Sequence, residues 1–214
     1  MAASSTKGVE IYISKGSTTP TTITYTAITK AKPAVVSATV TGVNDGDVVY
    51  ISGTGLDQLD GKYFVVANKG ASDFELAGSD TTGATAAGTG GKIEQYTQGD
   101  LVKLCLSSLS INADSPAVIS TATYCNPSAS VPSQVVSAGT LDFGAYVDKA
   151  SADYLQLLEA EADGKARVMR IDLPNQGYLV APVTVSSLSW DIPIDGAISV
   201  AGTMVLGSKF QHRF

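Results

Sequence analysis

Apolar and polar residues alternate along most of this chain in short runs broken by Gly, Asp, Asn and Pro, the period of half-buried β-strands. Val9, Ile11 and Ile13 fall on one side of such a strand, with Glu10, Tyr12 and Ser14 on the other. Leu141, Phe143, Ala145 and Val147 repeat the pattern, and so do Leu188, Trp190, Ile192 and Ile194. The last run, Ile198, Val200, Met204 and Leu206, keeps the same parity around Gly202. Thr, Val and Ile dominate these runs, and they suit a pleated surface with one buried face. Trp190, the only tryptophan, shares a face with Leu188 and Ile192, which places it in the core or makes it an anchor between subunits.

One segment departs from the alternation. Residues 150–163 read as a helix that Gly164 caps. At 100° per residue, Leu157, Ala150, Tyr154, Leu158, Ala162 and Leu155 fall in one apolar stripe, in which Tyr154, Leu155, Leu157 and Leu158 are the expected core of the helix. Asp153, Gln156, Glu159 and Asp163 face away, and Glu161 falls inside the stripe, where Lys165 or Arg167 is the expected partner. Residues 35–94 form a second unit rich in Gly, with turns at Asn44–Asp47, Asp60-Gly61 and Asn68–Gly70. Strands are expected between them at Val48–Ser52, Lys62–Ala67, Asp73–Ala77 and Lys92–Tyr96, and Thr81–Gly91 reads as a flexible loop by composition. The expected architecture is therefore mainly β. Residues 1–34 and 95–214 make a β-sandwich or partial barrel with one flanking helix, and 35–94 a small inserted all-β domain.

Composition narrows the function. The chain has 214 residues, of which 44% are hydrophobic and only 16% charged, with a net charge of −6. A core can form, yet the surface is thin in charge against about 25% in ordinary soluble proteins, as suits a subunit covered by neighbours. No run of Lys and Arg makes a nucleic-acid-binding face. Cys105 and Cys125 are too few for a disulfide scaffold, and buried thiols are the plainer expectation than a bridge. The residues after Met1 show no apolar leader, and no apolar run approaches the ~18 residues of a membrane helix.

Catalytic patterns are missing. His212 is the single histidine, which argues against a histidine triad or a two-histidine zinc motif. Neither a Gly-x-Ser-x-Gly elbow nor a phosphate-binding loop occurs. No enzyme activity, cofactor or metal is expected. Asn44–Asp47 offers oxygen ligands but lacks the alternating loop and distal Glu of a calcium site, so a plain turn is the expectation. Lys209, His212 and Arg213 make a basic tail on an acidic chain, either a solvated terminus or a contact with a neighbouring subunit.

Two blocks carry a resemblance. The first begins with Gly8–Ile13, resumes at Leu109–Ala113 and Ile119–Cys125, and continues through Leu141–Asp148, Tyr154–Leu158 and Ala162–Lys165. It ends with Arg170–Pro174, Val183–Ser189, Ile192–Gly196 and Gly202-Thr203. In order and spacing, these motifs resemble the major tail tube proteins of long-tailed, siphovirus-like bacteriophages and prophages. The second block, Asp45–Gly53, Leu59–Ala67 and Phe74–Gly78, resembles a small β module inserted in phage tail proteins, one often likened to a half-domain of the ubiquitin-activating enzyme. The resemblance implies a virion protein made in the host bacterial cytoplasm. It would form a homo-oligomeric ring, a hexamer by family habit, and rings would stack into the tail tube. A tape-measure protein would lie inside during assembly, terminator and baseplate proteins at the ends, and DNA would pass without binding. A β-rich module for host-surface carbohydrate, and another tail component such as a terminator or baseplate part, are the alternatives.

Overall fold

The structure, a computed structural model, describes residues 8–85, 88–112, 118–120, 130–132, 139–148, 150–174, 177–208 and 210–213. Its strands begin with β1 (Glu10–Ser14), β2 (Thr21–Ile23), β3 (Tyr25–Ile28), β4 (Ala34–Ala38), β5 (Val48–Ser52), β6 (Lys62–Ala67), β7 (Asp73–Leu76) and β8 (Lys92–Tyr96). They continue as β9 (Leu101–Leu104), β10 (Leu106–Asn112), β11 (Val118–Ser120), β12 (Ser130–Pro132) and β13 (Thr140–Tyr146). Helix α1 (Ala152–Asp163) precedes β14 (Arg167–Leu173), β15 (Gly177–Asp191), β16 (Ser199–Leu206) and β17 (Gln211–Arg213). The larger sheet runs β10-β13-β16-β15-β14-β1-β9, with β17 also on β15. The second sheet runs β2-β8-β5-β6-β7-β4-β3, and β11 pairs with β12. The fold is mainly β with one helix, as the alternation predicts.

The larger sheet curls on itself. Its two end strands, β9 and β10, are consecutive in the chain and separated only by Cys105. Residues from both halves meet in one apolar cluster: Ile13, Met169, Ile171 and Ala181 from one wall, and Leu141, Phe143 and Met204 from the other. The ladder does not close, and the outer edges of β9 and β10 carry no partner strand among the described residues.

Helix α1 seals this interior. Leu157 and Ala160 are buried in the cluster, Tyr154 and Leu158 are half-buried, and Leu155 is 50% exposed. The stripe is thus rotated from the one drawn through the large side chains, because the small Ala160 marks the closest approach to the sheet. The helix starts at Ala152 and ends on Gly164, whose φ of 60° is left-handed. Asp153, expected on the outer face, instead accepts the Cys105 N–H at 2.9 Å. Glu161 does not take the basic partner. Arg167, buried, pairs with Asp163 at 3.0 Å, lies 3.9 Å from Glu159, and donates to Gln156 Oε1 at 3.1 Å.

The second sheet is an insertion into a hairpin. Ser14 and Leu101 are ladder partners at the ends of β1 and β9, so the chain between them leaves and re-enters the larger sheet at one point. Residues 21–28, grouped with the larger unit in the sequence reading, belong here: β2 pairs β8, and β3 pairs β4. The sheet encloses its own core of Ile28, Val36, Ile51, Phe64, Phe74 and Ile93. Its strand positions follow the sequence expectation closely, and Asp60-Gly61, from its sequence a candidate for a two-residue hairpin turn, instead ends a loop that runs from Gly53. The β5–β6 connection is longer, and Asp60 knits it by accepting Thr54 N–H at 2.9 Å and Gly55 N–H at 3.0 Å. The Thr81–Gly91 stretch is pinned at three described points, one of them Gly90 O, which accepts from Tyr25 Oη. Thr81 is buried and its hydroxyl accepts Ala31 N–H, while Gly88 and Ile28 exchange backbone hydrogen bonds.

A third cluster joins the two units. Val48 and Val65 of the insertion pack on Val168, Val180 and Leu101. The outer face of β14 is therefore covered as completely as its inner face, and five consecutive residues, Arg167–Ile171, are buried. Arg170 fastens the contact. Its guanidinium lies between the Tyr12 and Tyr178 rings, 5.0 and 5.5 Å from their centroids, binds Asp172 with two nitrogens and donates to Gly46 O. The adjacent Asp47 carboxylate is fully buried and accepts Asn44 N–H (2.8 Å), Gln95 Nε2 (2.7 Å) and Gln98 N–H (2.9 Å). The Asn44–Asp47 turn thus meets the larger sheet through Gly46 O and Arg170, while its buried carboxylate oxygens are engaged by N–H donors of the insertion itself.

Candidate assembly surface

The half of the larger sheet that the insertion does not cover has an unusual character. Strand β15 is 15 residues long, and only its first half is sandwiched. Past the irregularity between Val185 and Ser187, the strand is exposed apart from the half-buried Leu188, and β10 is exposed over most of its length. The outward face of β10, β13, β16 and distal β15 carries Ser108, Ser110, Asn112, Asp142, Thr203, Ser187 and Ser189 in adjoining ladder positions. Asp142 accepts from Asn112 Nδ2 at 2.6 Å and from Thr203 Oγ1 at 2.8 Å, which ties three strands into a polar row. Asp142 and Asp191 are its charges, and no Lys or Arg lies on this face of the four strands. The wall is hydroxylated and weakly acidic, with Val205 and Tyr146 its large exposed side chains.

The rim of the same half is apolar. Ile192, at 71% exposed, and Ile194, fully exposed, stand at the tip between β15 and β16, with Ile198 beside them. Trp190 is 46% exposed, Tyr146 ends β13 in solvent, and Leu155 is the nearby half-exposed residue of α1. Trp190 reaches the helix by donating Nε1–H to Tyr154 Oη at 3.1 Å. Its sequence assignment to core or anchor resolves into a rim position with one polar tether. A second apolar opening, a groove of about 520 Å³, lies where the curled sheet fails to close, between Leu106, Leu109 and Ile111 of β10 and Ile11, Ile171 and Leu179 opposite.

Of the basic tail, Lys209 lies outside the described residues. His212 and Arg213 belong to β17, paired with Leu179 and Tyr178 of β15, so the tail's backbone is part of the sheet. Cys105 is exposed, and Cys125 lies outside the described residues.

No protein-family model and no curated protein matches the chain. Among solved structures, a chain from the tail of an empty gene transfer agent particle, computed with helical refinement in C6 symmetry, is similar. It has 14% identity and a TM-score of 0.42, over 55% of this chain and 89% of that one. A chain from the virion of a native gene transfer agent particle gives 14% identity and a TM-score of 0.39, over 51% and 85%.

The sequence reading missed the polar wall and the rim as surfaces. Their signal was nonetheless present: Ser107, Ser108 and Ser110, and Ser186, Ser187 and Ser189, are serine-rich runs that alternate with too few large apolar residues to bury both faces. Ile192-Pro193-Ile194 placed proline at the end of such a run, where a ladder cannot continue.

Proposed function

We propose that this chain is a structural subunit of a phage-like tail, a tube protein whose copies form stacked rings around a channel. The observation that carries the reading is the uncovered half-sheet. It has an edge at β10 with no partner strand among the described residues, an apolar rim at Trp190, Ile192 and Ile194, and a polar outer face, and β9 leaves a second such edge at the sheet's other end. Exposed strand edges are templates for another chain, and arranging copies in a ring covers them on both sides. The ordered tail-tube motifs of the sequence support the same role, with six subunits per ring as the family's habit. The hydroxylated, weakly acidic face suits the channel wall, because it offers phosphates no cationic partner and DNA slides past it. The insertion covers the opposite wall of the curled sheet, so with the polar face turned inward it stands on the outside of the tube. Tape-measure, terminator and baseplate proteins are the corresponding partners, the virion tail is the location, and the role requires no catalysis.

Negative-stain microscopy of the purified protein at rising concentration tests the proposal. Rings or tubes are expected. Monodisperse monomers at every concentration, including in the presence of other tail proteins, would refute it.

A further inference from the structure

A second cleft, of about 160 Å³, opens on the opposite side of the molecule from the polar wall, where the insertion meets the larger sheet. Lys15, Lys165 and Arg167 line it together with Tyr63 and Tyr96, and no Asp or Glu is in the lining. Arg167 is buried, and its Nε–H is a buried donor with no acceptor among the described residues. A buried donor left unpaired costs roughly 1–3 kcal/mol, so an acceptor brought to it is favoured.

The surrounding charges leave room for an anion. Arg167 is served by Asp163 and Glu159, and Lys15 donates to the Gly99 carbonyl, which is neutral. The Lys165 ammonium makes no ion pair or hydrogen bond among the described residues. Three cations thus meet two carboxylates, and one positive charge is left over in a chain whose net charge is −6. Glu94, the other acid near the two tyrosines, is engaged by Lys92. Burial pushes the Tyr63 and Tyr96 phenols above their ordinary range, so both hydroxyls keep a proton to donate.

We propose that this cleft is a carboxylate-binding site, in which Lys165 and Arg167 Nε–H hold the anion and Tyr63 and Tyr96 wall it. It is separate from the assembly surface and does not depend on the tube reading. The carboxylate has two possible sources, a free small carboxylate or an acidic side chain of a second copy, and one set of measurements tells them apart. Arginine Nε–H resonances of the full chain are followed by ¹⁵N NMR while sodium acetate is added, with sodium chloride at matched ionic strength as the control. A saturable shift of the Arg167 signal that Lys165→Ala weakens roughly tenfold marks a free carboxylate. The same shift produced by raising protein concentration without acetate, and abolished in Lys165→Ala, marks the second copy. A signal that moves equally with acetate and chloride and ignores protein concentration overturns the site, as does an unchanged response in both Lys165→Ala and Lys15→Ala.

Discussion

Ile192 and Ile194 offer the sharpest test of the assembly reading, because in the isolated subunit they do almost nothing. Ile194 is fully exposed and Ile192 is 71% exposed, so replacing both with Asp removes no packing from the fold. Changes at such positions usually alter stability by no more than about 0.5 kcal/mol. In a ring the same residues would lie against a neighbour. Burying an isoleucine side chain contributes about 1.5–3 kcal/mol, so the pair is worth roughly 3 kcal/mol per contact even with incomplete burial. That is at least a hundredfold in the concentration needed for assembly, before counting the carboxylates then buried against apolar surface. Sedimentation velocity and microscopy across a concentration series read this shift, and circular dichroism melting checks that the subunit is intact. If Ile192→Asp/Ile194→Asp assembles at the wild-type concentration, the tip is no interface. If instead its melting temperature collapses, the tip is packed within the subunit and the reasoning about its exposure is wrong.

Asp47→Ala should destabilise the chain by about 3 kcal/mol, since two backbone N–H groups and the Gln95 amide lose a buried charged acceptor, and calorimetry should show a fall of roughly 6–12 °C. A fall under 2 °C would mean that this buried carboxylate does not hold the insertion together. Replacing residues 15–100 by a short turn should yield a poorly soluble protein, because Val168, Val180 and Leu101 lose their cover, and Val168→Thr with Val180→Thr should restore solubility and ring formation. Failure of that repaired protein to form rings by microscopy, where the full chain forms them, would put the insertion in the tube wall. At Asp60, burial favours the neutral acid, but donation from Thr54, Gly55 and Leu56 outweighs it and holds the carboxyl below its ordinary 3.8. Its contribution to stability is therefore complete above the ordinary value and is lost as pH falls through the lower folded one; a ¹³C carboxyl titration with a midpoint at or above 3.8 would refute this.

Much of the β architecture was legible because one-faced strands announce themselves. Strands β5, β6 and β8 follow directly from apolar runs between Gly-bearing turns. The failures have specific physical causes. β14 holds Arg167 and Arg170 among buried residues, and a strand covered on both faces shows no alternation to read. Its charges are tolerated because each meets an acid, Asp163 of α1 for one and Asp172 of the same strand for the other. The helix was found, yet its buried face was drawn through Leu155, when the close approach to the sheet selects the small Ala160.

The limits of the insertion were hidden for a different reason. Lys32-Pro33 looks like punctuation, and punctuation is a local property of the chain. The true exit and return, Ser14 and Leu101, are marked only by their pairing with one another, which no local window contains. That pairing has a consequence for the proposed tube. An insertion rooted in a single hairpin adds mass to one wall without interrupting the ladder through β14, β15 and β16, so the opposite wall can keep the polar face and the β10 edge that assembly requires. Arg170, through Gly46 O, then fixes the added unit in one orientation, and a fixed orientation is what a repeating outer surface needs if every subunit is to present it alike.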